Sequence, residues 1–228
     1  MSSQLKPIKI YGQGSANPLK VRLIAEELGL PYELISVPFA TVKNPEYIAI
    51  NPNGRLPSIQ DPNTDITLWE SGAIIEYLIE RYDLNYSLSF APGTPESYHA
   101  KQWLYFQVSG QGPYYGQASW FKKFHHELLP SALGRYIAEM KRVSAVLDGY
   151  LAQQKEKYAG ASGDGPWLVG NKISYADISF LPWQIIITKV IEQNEYDGAD
   201  FTNLSDWVNR LSAREKVKAV LADSGPPE

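Results

Sequence analysis

Cysteine is absent from all 228 residues. The chain therefore has no disulfide, no thiolate metal ligand and no sulfur nucleophile of its own. Any sulfur chemistry it performs must arrive with a substrate. Long apolar runs are missing as well: no stretch approaches the ~18–20 residues of a membrane span. The opening MSSQLKPIKI lacks the apolar core of a secretory signal, so cytoplasmic residence without a membrane partner is expected. Nor is there an excess of positive charge. With 21 basic against 25 acidic residues and a net charge of −4, the chain has no sign of the basic stripe that marks a nucleic-acid binder. His125 and His126 have no set of metal-ligating partners in the surrounding sequence, so no metal is expected.

What is present is a well-stocked core. Hydrophobic residues make up 44% and aromatics 12%, which argues for folded domains rather than disorder. PIKIY (7–11) reads as a short strand. A helix follows from about Pro18 to Leu28, with Gly29 suited to cap its end. YELISV (32–37) is a second strand, so strand, helix and strand within about 30 residues predict a parallel βαβ unit. Residues 56–60 and 66–69 read as two more strands joined by the DPNTD turn. From Glu70, the positions Ile74, Ile75, Leu78, Ile79 and Tyr82 keep helical spacing. Residues 84–97 lose all periodicity. Beyond them strands disappear: Met140, Val143, Leu147, Tyr150 and Leu151 share one helical face, and residues 174–222 again read as helices. Between these, Gly110, Gly112 and Pro113 interrupt an aromatic-rich helical stretch and predict a bend or break. ISYADI (173–178) carries a capping box, with Ser174 at the N-cap, Asp177 three residues on, and Ile173 facing Ile178.

Three segments, taken in order, carry a resemblance. NPNGRLPSIQD (51–61) followed by LWESGAIIEYL (68–78) resembles the glutathione-binding core of the cytosolic glutathione transferases, and WLVGNKISYADISFLPW (167–183) resembles their helical-domain signature. WLYFQVSGQGPYYGQASWFKKFH (103–125) is similar to the fungal class related to the yeast nitrogen-regulating prion protein, of which the bacterial nu-class enzymes are relatives. The resemblance implies a fold with an α/β thioredoxin-like N-terminal domain plus an all-α C-terminal domain. Its implied limits are a glutathione-binding domain over 1–86, a linker over 87–95, and a helical domain over 96–228 that contributes the hydrophobic cosubstrate site.

It also implies a set of site residues. Glu70 takes the γ-glutamyl ammonium of glutathione and Ser71 its carboxylate, at a helix start that favours an anion. Leu56, before Pro57, offers its main chain to the cysteinyl backbone in the manner of an added strand. Lys43 and Arg55 reach toward the remaining carboxylate. Three donors compete for the sulfur. Asn17 matches the asparagine of the fungal and nu classes, although those relatives read Pro-Asn-Gly where this chain reads Ala16-Asn17-Pro18. Ser15 falls where serine-type relatives carry a hydroxyl, and Tyr11 where tyrosine-type enzymes place a phenol. As turn and cap formers, Ser15 and Asn17 also have a purely structural reading. Tyr114, Tyr115, Trp120, Phe121 and Phe124 are expected to wall the hydrophobic site.

The implied activity is a homodimeric transferase with glutathione as cosubstrate and no tightly bound cofactor. It would attack small hydrophobic electrophiles, or reduce peroxides or disulfides with glutathione. A catalytically weak regulator or ligand carrier is a rival, lessened by the missing Asn/Gln-rich tract ahead of the first strand. A dedicated transferase or isomerase of secondary metabolism is another.

Overall fold

The computed structural model describes residues 5–223; the ends of the two expected domains, 1–4 and 224–228, lie outside the described residues. The chain divides into two compact units. One combines the residues up to Leu88 with those from Arg214 onward, and the other is Ser89–Ala213.

The first unit is built on a four-stranded mixed sheet in the order β2-β1-β3-β4. β1 (Ile8–Tyr11) pairs in parallel with β2 (Tyr32–Ile35), Ile8 opposite Tyr32, and antiparallel with β3 (Ser58–Asp61), Tyr11 opposite Ser58. β3 continues antiparallel to β4 (Ile66–Trp69) through the DPNTD turn. The parallel pair is possible because α1 (Ala16–Leu28) makes the crossover. α1 stops at Gly29, whose left-handed φ of 67° lets its N–H bond back to the carbonyls of Ala25 and Glu26. A one-turn helix α2 (Pro45–Ile48) follows β2. α3 (Ser71–Tyr82) packs on α1 and buries Ile74, Ile75, Leu78 and Ile79, as their spacing requires. The Asp61 carboxylate hooks the β3–β4 hairpin to α3. It accepts from the main chain and amide of Asn63, both at 2.8 Å, from the Tyr77 hydroxyl at 2.6 Å, and from Tyr82. This is a thioredoxin-like arrangement.

The last helix, α9 (Glu215–Asp223), packs against α1. Arg214 grips Glu27 through two bonds of 2.8 and 2.9 Å, and Lys216 donates to the carbonyls of Glu26 and Glu27 at the end of α1. By compactness the terminal helix falls in the first unit, where charge pairing and capping tie it to α1.

The second unit is all helix: α4 (Pro95–Phe106), α5 (Gly112–Lys123), α6 (Pro130–Lys157), α7 (Tyr175–Ile187) and α8 (Thr202–Ala213). The chain passes from α4 into α5 without a break. A π-helical turn at Gln107–Gln111 stands where a bend or break was expected, just ahead of Pro113, which has no N–H to donate in the first turn of α5. Gln107 and Gln111 are fully buried there, bonded to each other at 2.9 Å, and Gln111 reaches the Phe180 carbonyl. The capping box forms: Asp177 accepts from the main chain and hydroxyl of Ser174, and also from Leu168 N–H and the Trp207 indole. Among the described residues, no helix is long and apolar enough to cross a membrane.

Candidate functional site

The site in the first unit begins where β1 ends. Gly12 adopts φ 99°, a region closed to most side chains, and a Cβ there would lie 3.0 Å from Leu56 Cδ1. Only glycine lets the β1–α1 turn press this closely on the segment that leads into β3. The turn carries Ser15 at the N-cap of α1, in extended conformation and with its hydroxyl making no capping bond, and Asn17 one residue into the helix. Both are half-buried. Asn17 has its own polar interactions within the protein. Pro18 gives no N–H, so it takes no part in the positive helix end.

Tyr11 is placed differently. Its phenol donates to Gln60 Oε1 at 2.7 Å, and its ring packs on Tyr47 in a small cluster with Val42. Burial, with the charge of Glu33 and then Tyr47, holds the phenol above its usual pKa. In this arrangement the hydroxyl proton is given to Gln60.

The segment facing the turn is held by residues that the sequence did not single out. Tyr47 donates to the Arg55 carbonyl at 2.8 Å and shares a 2.7 Å bond with Ser58 Oγ; the Asn51 amide donates to the same Arg55 carbonyl at 2.7 Å. Asn51 Oδ1 accepts Asn53 N–H, and Gly54, at φ 58°, leaves room for the Val42 carbonyl, which a Cβ would approach to 2.7 Å. The Asn-Pro-Asn-Gly run was the available signal for this clamp. It fixes the main chain on one side of Leu56, and the cis Leu56–Pro57 bond stands on the other. The β1–β3 pairing begins only at Ser58, so Leu56 lies beyond the end of the ladder. Arg55 and Lys43 are exposed; the Lys43 ammonium donates to the Asn53 carbonyl at 2.7 Å.

At the start of α3, Glu70 sits exposed with a left-handed φ of 70°, a conformation costing a non-glycine residue about 1–2 kcal/mol. Ser71, the first residue of the helix, is buried to 7% exposure. A carboxylate next to a helix N-terminus is a natural receptor for a zwitterionic amino-acid group. Lys20 on α1 is a further residue missed. It is 1% exposed, and burial lowers its pKa to about 7 against the opposing pull of Glu70. Its signal was a lysine on the apolar stripe of Ala16, Leu23 and Ile24.

The aromatic residues of 114–124 belong to the second unit and differ in exposure. Tyr115 is fully buried, its hydroxyl 2.9 Å from Ser144 Oγ and contacted by Gln184 at 3.2 Å. Burial drives its phenol well above the usual pKa. This corrects the expectation for Tyr115: it lies one step round the helix from Tyr114, which turns it into the core. Phe121 stacks on Tyr136 at 5.6 Å, and the Tyr114 ring lies 5.9 Å from the Arg142 guanidinium. Trp120 and Phe124 stack on each other with 49% and 66% exposure. Among the described residues there is no cluster of His, Cys, Asp and Glu able to hold a metal.

Comparison with known proteins gives the family. The family descriptions "Glutathione S-transferase, N-terminal domain" and "Glutathione S-transferase, C-terminal domain" match residues 14–81 and 122–224. The chain belongs to the glutathione S-transferase family, in its fungal branch related to Ure2. It is similar to the glutathione S-transferase-like protein gedE of Aspergillus terreus, 58% identical over 226 residues and covering 99% of each chain. It is also similar to the glutathione S-transferase-like protein tpcF of Aspergillus fumigatus, 53% identical over 97% of this chain and 98% of that one. Among solved structures, the glutathione transferase URE2P6 of Phanerochaete chrysosporium, in complex with oxidized glutathione, matches at a TM-score of 0.86 with 42% identity and 98% of both chains covered.

Proposed function

We propose that the protein binds glutathione on its first unit and delivers the thiolate to a small hydrophobic electrophile. The γ-glutamyl ammonium meets Glu70 and its carboxylate meets Ser71 at the start of α3. The cysteinyl backbone lies along Leu56 and Pro57, and Lys43 or Arg55 reaches the glycyl carboxylate. The sulfur faces the α1 turn, where the Asn17 amide donates to it with the Ser15 hydroxyl as its neighbour. The observation that carries this reading is the close approach to Leu56 of Gly12, which begins the turn leading to Ser15 and Asn17. The complex of URE2P6 with oxidized glutathione supports it.

The energetics are feasible without a basic side chain. Lowering a thiol from about pKa 8.5 by two units needs about 2.7 kcal/mol. One hydrogen bond to a thiolate supplies ~1.5–3 kcal/mol, and a helix end adds ~1. Because nucleophilicity falls with pKa at a slope of ~0.4–0.5, the net gain in attack rate at neutral pH is only about threefold. Positioning of thiol and electrophile supplies most of the acceleration. In conjugation the sulfur forms a C–S bond as the leaving group departs with its electron pair. With a peroxide, two glutathiones give a disulfide, an alcohol and water. Exposed Trp120 and Phe124, with Tyr114 and Phe121, offer apolar surface for the electrophile. The active form is proposed to be a cytoplasmic homodimer.

Purified protein should bind glutathione and turn over an aryl halide, a hydroperoxide or a mixed disulfide. Asn17→Ala should cut kcat/KM at pH 6.5 roughly three- to tenfold and raise the thiol pKa read from the pH–rate profile, with glutathione still bound. Ser15→Ala should do less. Binding without turnover of any substrate would favour a carrier or regulator instead.

A further inference from the structure

Leu56 and Pro57 are held in place by a residue to which the proposed chemistry gives no part. Tyr47, on the single turn of α2, is buried, and its ring centre lies 6.1 Å from that of Tyr11. Its phenol lies 2.8 Å from the Arg55 carbonyl, which can only accept, so the one hydroxyl proton goes there. The 2.7 Å bond to the buried Ser58 Oγ then runs the other way, with Ser58 donating to the phenol oxygen. Burial raises the phenol pKa, so the proton stays in place across neutral pH. One hydroxyl therefore joins the residue before Leu56 to the residue after Pro57. The Asn51 amide is a second donor to the same Arg55 carbonyl, at 2.7 Å. By contrast, among the described residues nothing hydrogen-bonds the main-chain N–H or carbonyl of Leu56 itself. Its neighbours are fixed on both sides while its own donor and acceptor stay open, as at the edge of a sheet.

We propose that Tyr47 is a positioning residue for ligand capture: its hydroxyl staples Arg55 to Ser58 and so holds the Leu56 main chain ready for the cysteinyl peptide unit of glutathione. This rests on the reading of Leu56 as the receptor of that backbone. Tyr47 touches no ligand. A segment left loose would be ordered only on binding, and the entropy lost in ordering it would weaken affinity. Phenylalanine would fill the same space beside Tyr11 and Val42, so packing alone does not call for the hydroxyl.

Calorimetric titration of the full chain with two probes tests this. One is glutathione. The other is its depsipeptide, in which an ester oxygen replaces the cysteinyl N–H that would donate to the Leu56 carbonyl. Wild-type protein is expected to prefer glutathione about tenfold. Tyr47→Phe keeps the ring and removes only the hydroxyl. It should weaken glutathione about fivefold and change the depsipeptide by less than about twofold, so that the preference largely collapses. Ser58→Ala, which removes the other end of the staple, should give the same pattern, and the two together little more than either alone. Unchanged glutathione affinity in Tyr47→Phe, equal weakening of both probes, or additive losses would overturn the proposal. Wild-type protein that binds the two probes equally, or takes up no glutathione, would instead remove the reading of Leu56, and so is told apart from a failure of Tyr47 alone.

Discussion

At the scale of single residues, Lys20 ties stability to pH. Its folded pKa lies near 7 and its unfolded value near the usual lysine figure, so between these the unfolded chain binds more protons. Stability must then rise with pH across that window, as the penalty for burying the charge is relieved. Relative to Lys20→Met, wild-type protein should gain on the order of 3–4 kcal/mol from about pH 7 to 10, read from denaturant midpoints at each pH. The loss above pH 10, where buried tyrosines such as Tyr115 resist ionisation, should be shared by both proteins. A flat difference across the window would show that Lys20 has no lowered pKa in the folded protein. Position on the apolar stripe was visible in the sequence, but depth was not.

At the scale of elements, local grammar was legible. The strand at Ile8–Tyr11, the stop at Gly29, the helix from Ser71 and the capping box before α7 all follow from spacing and cap chemistry within a few residues. Asp177 shows where that grammar ends. As a capping residue it would satisfy Ser174 alone; folded, it also serves Leu168 and Trp207, which lie on other segments. Ser174→Ala should therefore cost about 1–2 kcal/mol. Asp177→Ala leaves several buried donors without a partner and should cost on the order of 3–5 kcal/mol. In a thermal melt the second variant should fall roughly 10 °C, about three times the first. Equal shifts would reduce Asp177 to its cap. The π turn at Gln107–Gln111 has a similar lesson, since Gly110 and Pro113 announced a departure from regular helix without specifying that a wider turn would absorb it.

At the scale of the whole molecule, α9 is the element whose place periodicity could not assign. Its amphipathic pattern fits any apolar surface; Arg214 on Glu27 and Lys216 on the last carbonyls of α1 select one. Ending the chain after Ala213 should lower hydrogen-exchange protection in α1 by about tenfold or more while leaving α6 within about twofold of its original protection. Loss in α6 instead would show that the helix supports the second unit. By itself the sequence determined the chemistry available and the local elements: without cysteine, sulfur must come with a substrate, and strands and helices follow from side chains two to four positions apart. It also presented Glu70, Ser71, Leu56 and Asn17 as a recognisable set. Tertiary structure decided what faces what. Tyr115 is core rather than wall, Lys20 lies buried, Tyr11 is spent on Gln60, and Tyr47 with Asn51 clamps the segment before Leu56. The reason is physical: propensity and capping act within a turn of chain, whereas burial and charge pairing depend on residues that only folding brings near.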